Sequence, residues 1–231
     1  MQKINCSNDI QNIFYINLDR RVDRKIHIET QLNLLNWKAS RFPGILHSFG
    51  ALGCSLSHLA LLKYAKNKNL DHILILEDDV SFLNPSLFLN NLNQFLKTHA
   101  NFDVLLLAGN NMGDYVRIDD WCVKVSQCQT TTGYLVKNHY YDTLIKNYEN
   151  SINLLQLYPN KIQIYAIDKF WQRLQKKYNW FLLTPLTVVQ IPDISDVEKQ
   201  HTNYKSAMLD LDKASFLKKK KEIISLKKLT L

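Results

Sequence analysis

The ten residues Asp71-His72-Ile73-Leu74-Ile75-Leu76-Glu77-Asp78-Asp79-Val80 constrain the fold of this chain more than any other stretch. Four consecutive branched apolar side chains run directly into three acids. An unbroken apolar run of that length is the pattern of a strand buried on both faces, as strands of parallel sheets are. Carboxylates do not continue such burial, so the acids emerge where the strand ends. In an open α/β sheet the carboxyl ends of the strands are where ligands bind. Extended geometry carried through the acids turns Glu77 and Asp79 one way and Asp78 the other. Crowded carboxylates repel unless a cation or hydrogen-bond donors compensate. A hard divalent ion bridging carboxylate and phosphate oxygens would do so. The plainer alternative is a solvated turn in which Asp79 or Ser81 caps the next helix. A Walker B strand has the same shape, but it needs a G-x-x-x-x-G-K-[ST] loop, and the six glycines of this chain form none.

Upstream, residues 13–18 read as the first strand, followed by Asp19-Arg20-Arg21-Val22-Asp23-Arg24 and a helix carrying Ile26, Leu32 and Leu35. Arginine forks at a helix N-terminus suit phosphate. The alternative is a solvated helix start with weak Asp–Arg pairs. Residues 37–42 suggest a short strand. A helix follows to about Asn67, with Gly53 as a point of close approach. Cys54 and His58 are four apart and share a helical face. Two ligands without a third in sequence make a poor zinc site, so a packed cysteine and a hydrogen-bonded histidine near the ligand are expected. Ser57 lacks the G-x-S-x-G setting of a nucleophile.

Downstream, Asn84-Pro85 opens a helix to about Thr98, and residues 103–109, 121–125 and 130–136 read as strands. Residues 140–148 read as a helix. Another amphipathic helix opens at Tyr165-Ala166-Ile167-Asp168, with Phe170, Trp171 and Leu174 facing inward. Residues 181–183 and 187–189 are short strands, and 193–204 is loop-like. Strands alternating with helices predict a doubly wound α/β sheet.

Length suits one α/β domain over residues 1–210 with a basic tail over 211–231. The net charge of +8 suits an anionic partner. No helix-turn-helix, zinc-finger or RNP-like motif accompanies it, so nucleic acid is not the expected partner. Four cysteines without a C-x-x-C pair are expected to be reduced thiols of a cytoplasmic protein. The polar N-terminus reads as no signal peptide, and no stretch approaches the roughly 18 apolar residues of a membrane span. Lys218 to Lys221, with Ile223, Ile224, Leu226 and Leu229 beyond, compose a basic segment able to lie on the inner face of a membrane, or a solvated terminus.

Taken in order, several segments resemble glycosyltransferase family 25, which includes bacterial lipooligosaccharide glycosyltransferases and collagen hydroxylysine galactosyltransferases. Ile16-Asn17-Leu18-Asp19-Arg20-Arg21-Val22-Asp23-Arg24 is similar to its N-L-x-R-x-x-x-R opening. Gly53-Cys54-Ser55-Leu56-Ser57-His58 is similar to its G-C-x-x-S-H helix start. Leu76-Glu77-Asp78-Asp79-Val80 is similar to its E-D-D form of the D-x-D metal motif. Thr132-Gly133-Tyr134-Leu135-Val136, Ala166-Ile167-Asp168 and Gln190 with Ser195-Asp196-Val197 are similar to its later elements. The series covers about residues 13 to 204. It departs from the family at Ala51, Gly133 and Ala166, where members carry an acid, another small residue and a proline.

The resemblance implies a GT-A-like fold, a Rossmann-type mostly parallel sheet flanked by helices in a single catalytic domain. It implies metal-dependent, inverting transfer of a hexose, galactose or glucose, from a UDP-sugar in glycan or lipopolysaccharide biosynthesis. The acceptor would be a hydroxyl of a glycan, a lipid-linked glycan or a protein. Asp79 and Glu77 would hold Mn²⁺ or Mg²⁺, with His201 as a late metal or diphosphate contact. Asn17, Arg20, Arg24, Ser57, His58, Glu77 and Asp78 would surround the nucleotide. Asp168 would be the base, with Asp196 second. A competing class is a relative that binds sugar or a partner without catalysis.

Overall fold

The apolar run forms a strand, His72–Glu77, in which every residue before Glu77 is buried. The computed structural model describes residues 4–194, 197 and 200–213. In chain order the strands are β1 (Ile13–Asn17), β2 (Ser40–Pro43), β3 (His72–Glu77), β4 (Val80–Phe82), β5 (Val104–Leu106), β6 (Asn110–Asn111) and β7 (Tyr115–Arg117). They continue as β8 (Cys122–Val125), β9 (Cys128–Gln129), β10 (Gly133–Lys137), β11 (Trp180–Leu183), β12 (Val188–Gln190), β13 (Asp193–Ile194) and β14 (His201–Thr202). The helices are α1 (Val22–Leu34), α2 (Gly50–Asn67), α3 (Pro85–Thr98), α4 (Tyr141–Leu157), α5 (Ile162–Tyr165), α6 (Ile167–Phe170), α7 (Gln172–Gln175) and α8 (Lys205–Leu209).

One sheet in the order β2-β1-β3-β10-β5-β11-β8-β7 runs through the molecule. Its strands point the same way except β10 and β8, which run antiparallel to their neighbours. The sheet is therefore mostly parallel in direction but mixed in its pairings, and β10 inserted beside β3 separates two parallel sets. β3 shows why its sequence is apolar throughout. Ile73 and Ile75 pack in the layer of α2 and α4 with Leu62, Ala65, Leu144 and Tyr148. Leu74 and Leu76 pack in the layer of α1 and α3 with Ile28, Leu32, Phe88 and Phe95. The alternation of an extended chain thus feeds two cores from one strand.

Asn84 caps α3 by accepting from Leu87 N at 3.1 Å, with Pro85 in the first turn. The reading of Asp79 or Ser81 as that cap is superseded. A short strand, β4, intervenes and pairs with β12. The helix expected from residue 165 is instead three short pieces. Ala166 adopts an extended ψ of 145° between α5 and α6, and the break lets Trp171 bury fully and donate to Cys128 O at 2.9 Å. The loop-like stretch from residue 193 contains the β13–β14 pair. Among the described residues no helix is long and apolar enough to cross a membrane. The tail from residue 214, and Ser195 and Asp196, lie outside the described residues.

Candidate active site

The acids at the end of β3 line an open cleft of about 810 Å³, a volume that runs out into solvent, bounded by Arg20, Arg24, the loop 44–47, the start of α2 and Gln190. Strand alternation accounts for Glu77. In phase with Ile73 and Ile75, it points to the α2 side, where His58 Nε2 lies 3.4 Å and Cys54 Sγ 3.9 Å from its Oε1. Thr131 donates to the same oxygen at 2.7 Å, and Gln190 donates to Oε2 at 3.0 Å. Burial pushes the Glu77 carboxyl up, but the His58 and Thr131 hydrogen bonds and the Arg24 charge outweigh it and hold it below its ordinary value.

The strand ends at Glu77, and Asp78 and Asp79 form a turn. The simple alternation of the three acids therefore stops there. Asp78 turns to the α1 side, where Asn17 Nδ2 donates to it at 2.7 Å. Asp79 falls between the two sides. Its Oδ2 is 3.1 Å from Arg24 Nη1, and its Oδ1 is 3.4 Å from the Gln190 amide that also serves Glu77. Burial and the neighbouring Glu77 charge push Asp79 up to about 8, against the opposing pull of Arg24. Burial also raises Asp78, despite Asn17 and Arg24.

Arg24, on the first turn of α1, is the cation of this cluster. It reaches Asp78 at 3.3 Å, Asp79 at 3.1 Å and Asp193 at 2.9 Å. Arg21 also pairs with Asp193, which ties β13 to the start of α1. Asn17 is fully committed. It donates to Arg21 O and to Asp78, and accepts from Arg41 Nε at 2.9 Å.

His58 and Ser57 line the cleft and brace it through their hydrogen bonds. Tyr148 OH donates to Tyr134 OH at 3.1 Å, and Tyr134 OH meets His58 Nδ1 at 2.8 Å. That chain leaves the Nε2 hydrogen for Glu77. Ser57 Oγ donates to Gly53 O at 2.7 Å and accepts from Ile45 N at 2.8 Å, pinning the loop that forms one wall. Gly53 confirms the expected close approach, since a Cβ there would sit 2.7 Å from Ile45 O.

Cys54, His58 and Glu77 bring one ligand atom each within 4.8 Å of one another, so the third partner missing from the sequence reading is Glu77. Burial and the Glu77 charge hold the Cys54 thiol well above its ordinary value, which favours a protonated hydrogen-bonding network over a thiolate metal site. The oxygen donors of Glu77 and Asp79 are the set that fits a hard divalent ion. Burial and the neighbouring Glu77 charge raise the Asp79 carboxyl, and a cation held between the two would lower it again.

Asp168 lies just outside the cleft lining, one step along the wall. It accepts from Thr130 N at 3.2 Å and pairs with Lys169 at 3.4 Å. Thr130 holds a φ of 75°, unusual for a β-branched residue and a strain of about 1–3 kcal/mol. His201 is exposed on β14 opposite Ile194, outside the cleft lining. Asp193, Arg41 and Thr131 were not singled out from the sequence, and Arg21 was read there as one of three arginines suited to phosphate, where the structure pairs it with Asp193. Gln190 appeared there only as part of the family series.

The sequence profile of Glycosyltransferase family 25 (LPS biosynthesis protein) matches residues 46–171, more than half of the chain. The chain belongs to glycosyltransferase family 25. The matched region holds the Gly53–His58 helix start and the acid cluster, which meet at one cleft, and Asp168 outside its lining; this family 25 chain is a glycosyltransferase. No curated protein sequence matches it. Among solved structures it is similar to a glycosyltransferase involved in glycosylation of the major capsid of PBCV-1. The identity is 11%, over 74% of this chain and 80% of that one, with a TM-score of 0.44. It is also similar to a mutant Drosophila β-1,4-galactosyltransferase 7 in complex with manganese, UDP-Gal and xylobiose. There the identity is 12%, over 83% of this chain and 74% of that one, with a TM-score of 0.41.

Proposed function

We propose that this family 25 enzyme transfers a hexose, galactose or glucose, from a UDP-sugar to a hydroxyl of a glycan, lipid-linked glycan or protein acceptor, with inversion. The observation that carries the reading is the gathering of Glu77, Asp78 and Asp79 at the carboxyl end of β3, where burial and the Glu77 charge push Asp79 up to about 8.

Glu77 and Asp79 would hold Mn²⁺ or Mg²⁺, which when bound supplies Lewis-acid stabilisation to a diphosphate. Gln190 and His58 orient Glu77, and Asn17 orients Asp78. Arg20 and Arg24 line the cleft where a diphosphate would lie and would offset its charge. Inversion in one displacement needs a base for the acceptor proton. The acceptor oxygen forms the new bond to the anomeric carbon, the bond to the diphosphate oxygen breaks, and UDP leaves with the electron pair. Asp168 is the base of this reading and takes the proton. Its carboxylate is oriented by Thr130 N and Lys169. Asp196 remains a second choice of base and His201 a late metal or diphosphate contact.

The test is release of UDP from a panel of nucleotide-sugars without acceptor, with Mn²⁺ or with chelator. Slow metal-dependent hydrolysis of one donor, lost in Asp79→Ala, is the expected result. No hydrolysis of any donor, together with no calorimetric binding of UDP in Mn²⁺, would refute it.

A further inference from the structure

Beside Asp168 lies a second, open hollow of about 950 Å³, a volume that runs out into solvent. Four cations line it, Lys169, Arg173, Lys176 and Lys177, together with several glutamines and no carboxylate. Arg173, Lys176 and Lys177 make no ion pair among the described residues, and Lys169 pairs with Asp168 at 3.4 Å. The Arg173 guanidinium lies 3.3 Å above the Phe170 ring, which fixes its plane. A charged cluster of one sign, with a pinned arginine fork and neutral amides around it, is suited to an anionic group with hydroxyls beside it.

Three consecutive residues tie this hollow to the acid-lined cleft. Gln129 lines the hollow and accepts from Lys169. Thr130 N donates to Asp168. Thr131 Oγ1 donates to Glu77. Three residues of extended chain span at most about 10 Å, roughly the length of two sugar rings. The hollow therefore lies within reach of the neighbouring units of an acceptor whose reacting hydroxyl meets Asp168.

The geometry points to this hollow as an acceptor subsite for a saccharide carrying a phosphate or carboxylate one or two units from the reacting hydroxyl. The inference rests on the reading of Asp168 as the acceptor-side base. It narrows the acceptor to an acidic saccharide.

The experiment is an NMR titration of the ¹⁵N-labelled full chain with glucose 6-phosphate and glucuronic acid, against glucose and inorganic phosphate. Both acidic sugars are expected to shift the Gln129, Lys169 and Arg173 resonances and to bind about tenfold tighter than glucose. The triple variant R173Q/K176Q/K177Q should lose that binding, and K176R/K177R should keep it. If only one acidic sugar binds, the group is named as phosphate or carboxylate and the proposal stands. Glucose binding as tightly, inorganic phosphate binding as tightly as the sugar phosphate, or sugar binding that survives the triple variant would each overturn it. So would a triple variant that loses only anionic-vesicle or RNA binding. Donor hydrolysis measured on the same wild-type preparation reads the first cleft alone. Hydrolysis without acidic-sugar binding removes the subsite and leaves the transferase reading intact.

Discussion

Arg24 Nη1 lies 3.1 Å from the Asp79 carboxylate, so the acid cluster at the end of β3 contains its own counter-cation. The same guanidinium serves Asp78 and Asp193, and both Arg24 and Asp79 are largely buried. Removing one partner of a buried pair leaves the other charge uncompensated, which costs more than the pair contributes. Arg24→Gln should therefore destabilise the fold by about 3 kcal/mol near pH 7. The loss should shrink towards about pH 5, because Asp78, already raised by burial and raised further without Arg24, takes up a proton in the folded state, whereas Asp79, at about 8, is largely protonated at neutral pH in both proteins. Urea denaturation at the two pH values checks this. An equal loss at both would mean that Arg24 acts through packing, not charge.

Asp193 offers the opposite titration. Burial alone would raise its carboxyl, but the Arg24, Ile194 N and Arg21 hydrogen bonds depress it to about 2. A carboxyl depressed in the folded state contributes stability that is present above its unfolded value and lost as pH falls through the folded one. Asp193→Asn should cost about 1–2 kcal/mol at neutral pH, after discounting for a side chain that is 27% exposed. The gap between wild type and variant should close between about pH 4 and pH 2. A gap that persists in acid would assign the Asp193 contribution to hydrogen bonding independent of charge.

The sequence made the centre of the site legible and left its rim hidden. The run 72–79 announced a doubly buried strand ending in acids, because burial on both faces writes itself as an unbroken apolar run. The α1 arginines and the α2 motif were readable because each sits at a strand-to-helix junction. What the sequence could not display was the turn at Asp78 and Asp79, which abolishes strict alternation. Nor could it display the return of β13 to place Asp193 against Arg24, a contact spanning 169 positions. Arg41 and Thr131 carry no motif. They matter only because β2 and the loop leading into β10 lie beside β1 and β3. The antiparallel insertion of β10 was likewise invisible, since a buried strand reads the same in either direction.

Tyr134 connects the sheet to Glu77 through His58. Tyr134→Phe leaves the Tyr148 hydroxyl without an acceptor and His58 Nδ1 without a donor, both fully buried. The expected cost is about 2 kcal/mol of stability. The freed imidazole can then present its other tautomer, with no Nε2 hydrogen for Glu77, so UDP affinity in Mn²⁺ should fall as well. Tyr148→Phe should cost stability alone, because Tyr134 still fixes His58. Paired denaturation and UDP titration of the two variants separate these effects. Equal loss of UDP affinity in both would remove the tautomer argument.

Gly53→Ala sets two known effects against each other. Within an α-helix the change should stabilise by about 1 kcal/mol through propensity. Here the new Cβ would sit 2.7 Å from the Ile45 carbonyl oxygen, a backbone atom that cannot rotate away. Forcing such a contact costs about 1–3 kcal/mol, and displacing the loop also breaks the Ser57 Oγ bond to Ile45 N. The close approach should win, lowering the melting temperature by roughly 2–6 °C for a chain of this size. The cleft should lose affinity for UDP in step, because Ile45, Leu46 and His47 form its wall. A melting temperature that rises while UDP binding holds would show that the loop yields freely and that helix propensity decides this position.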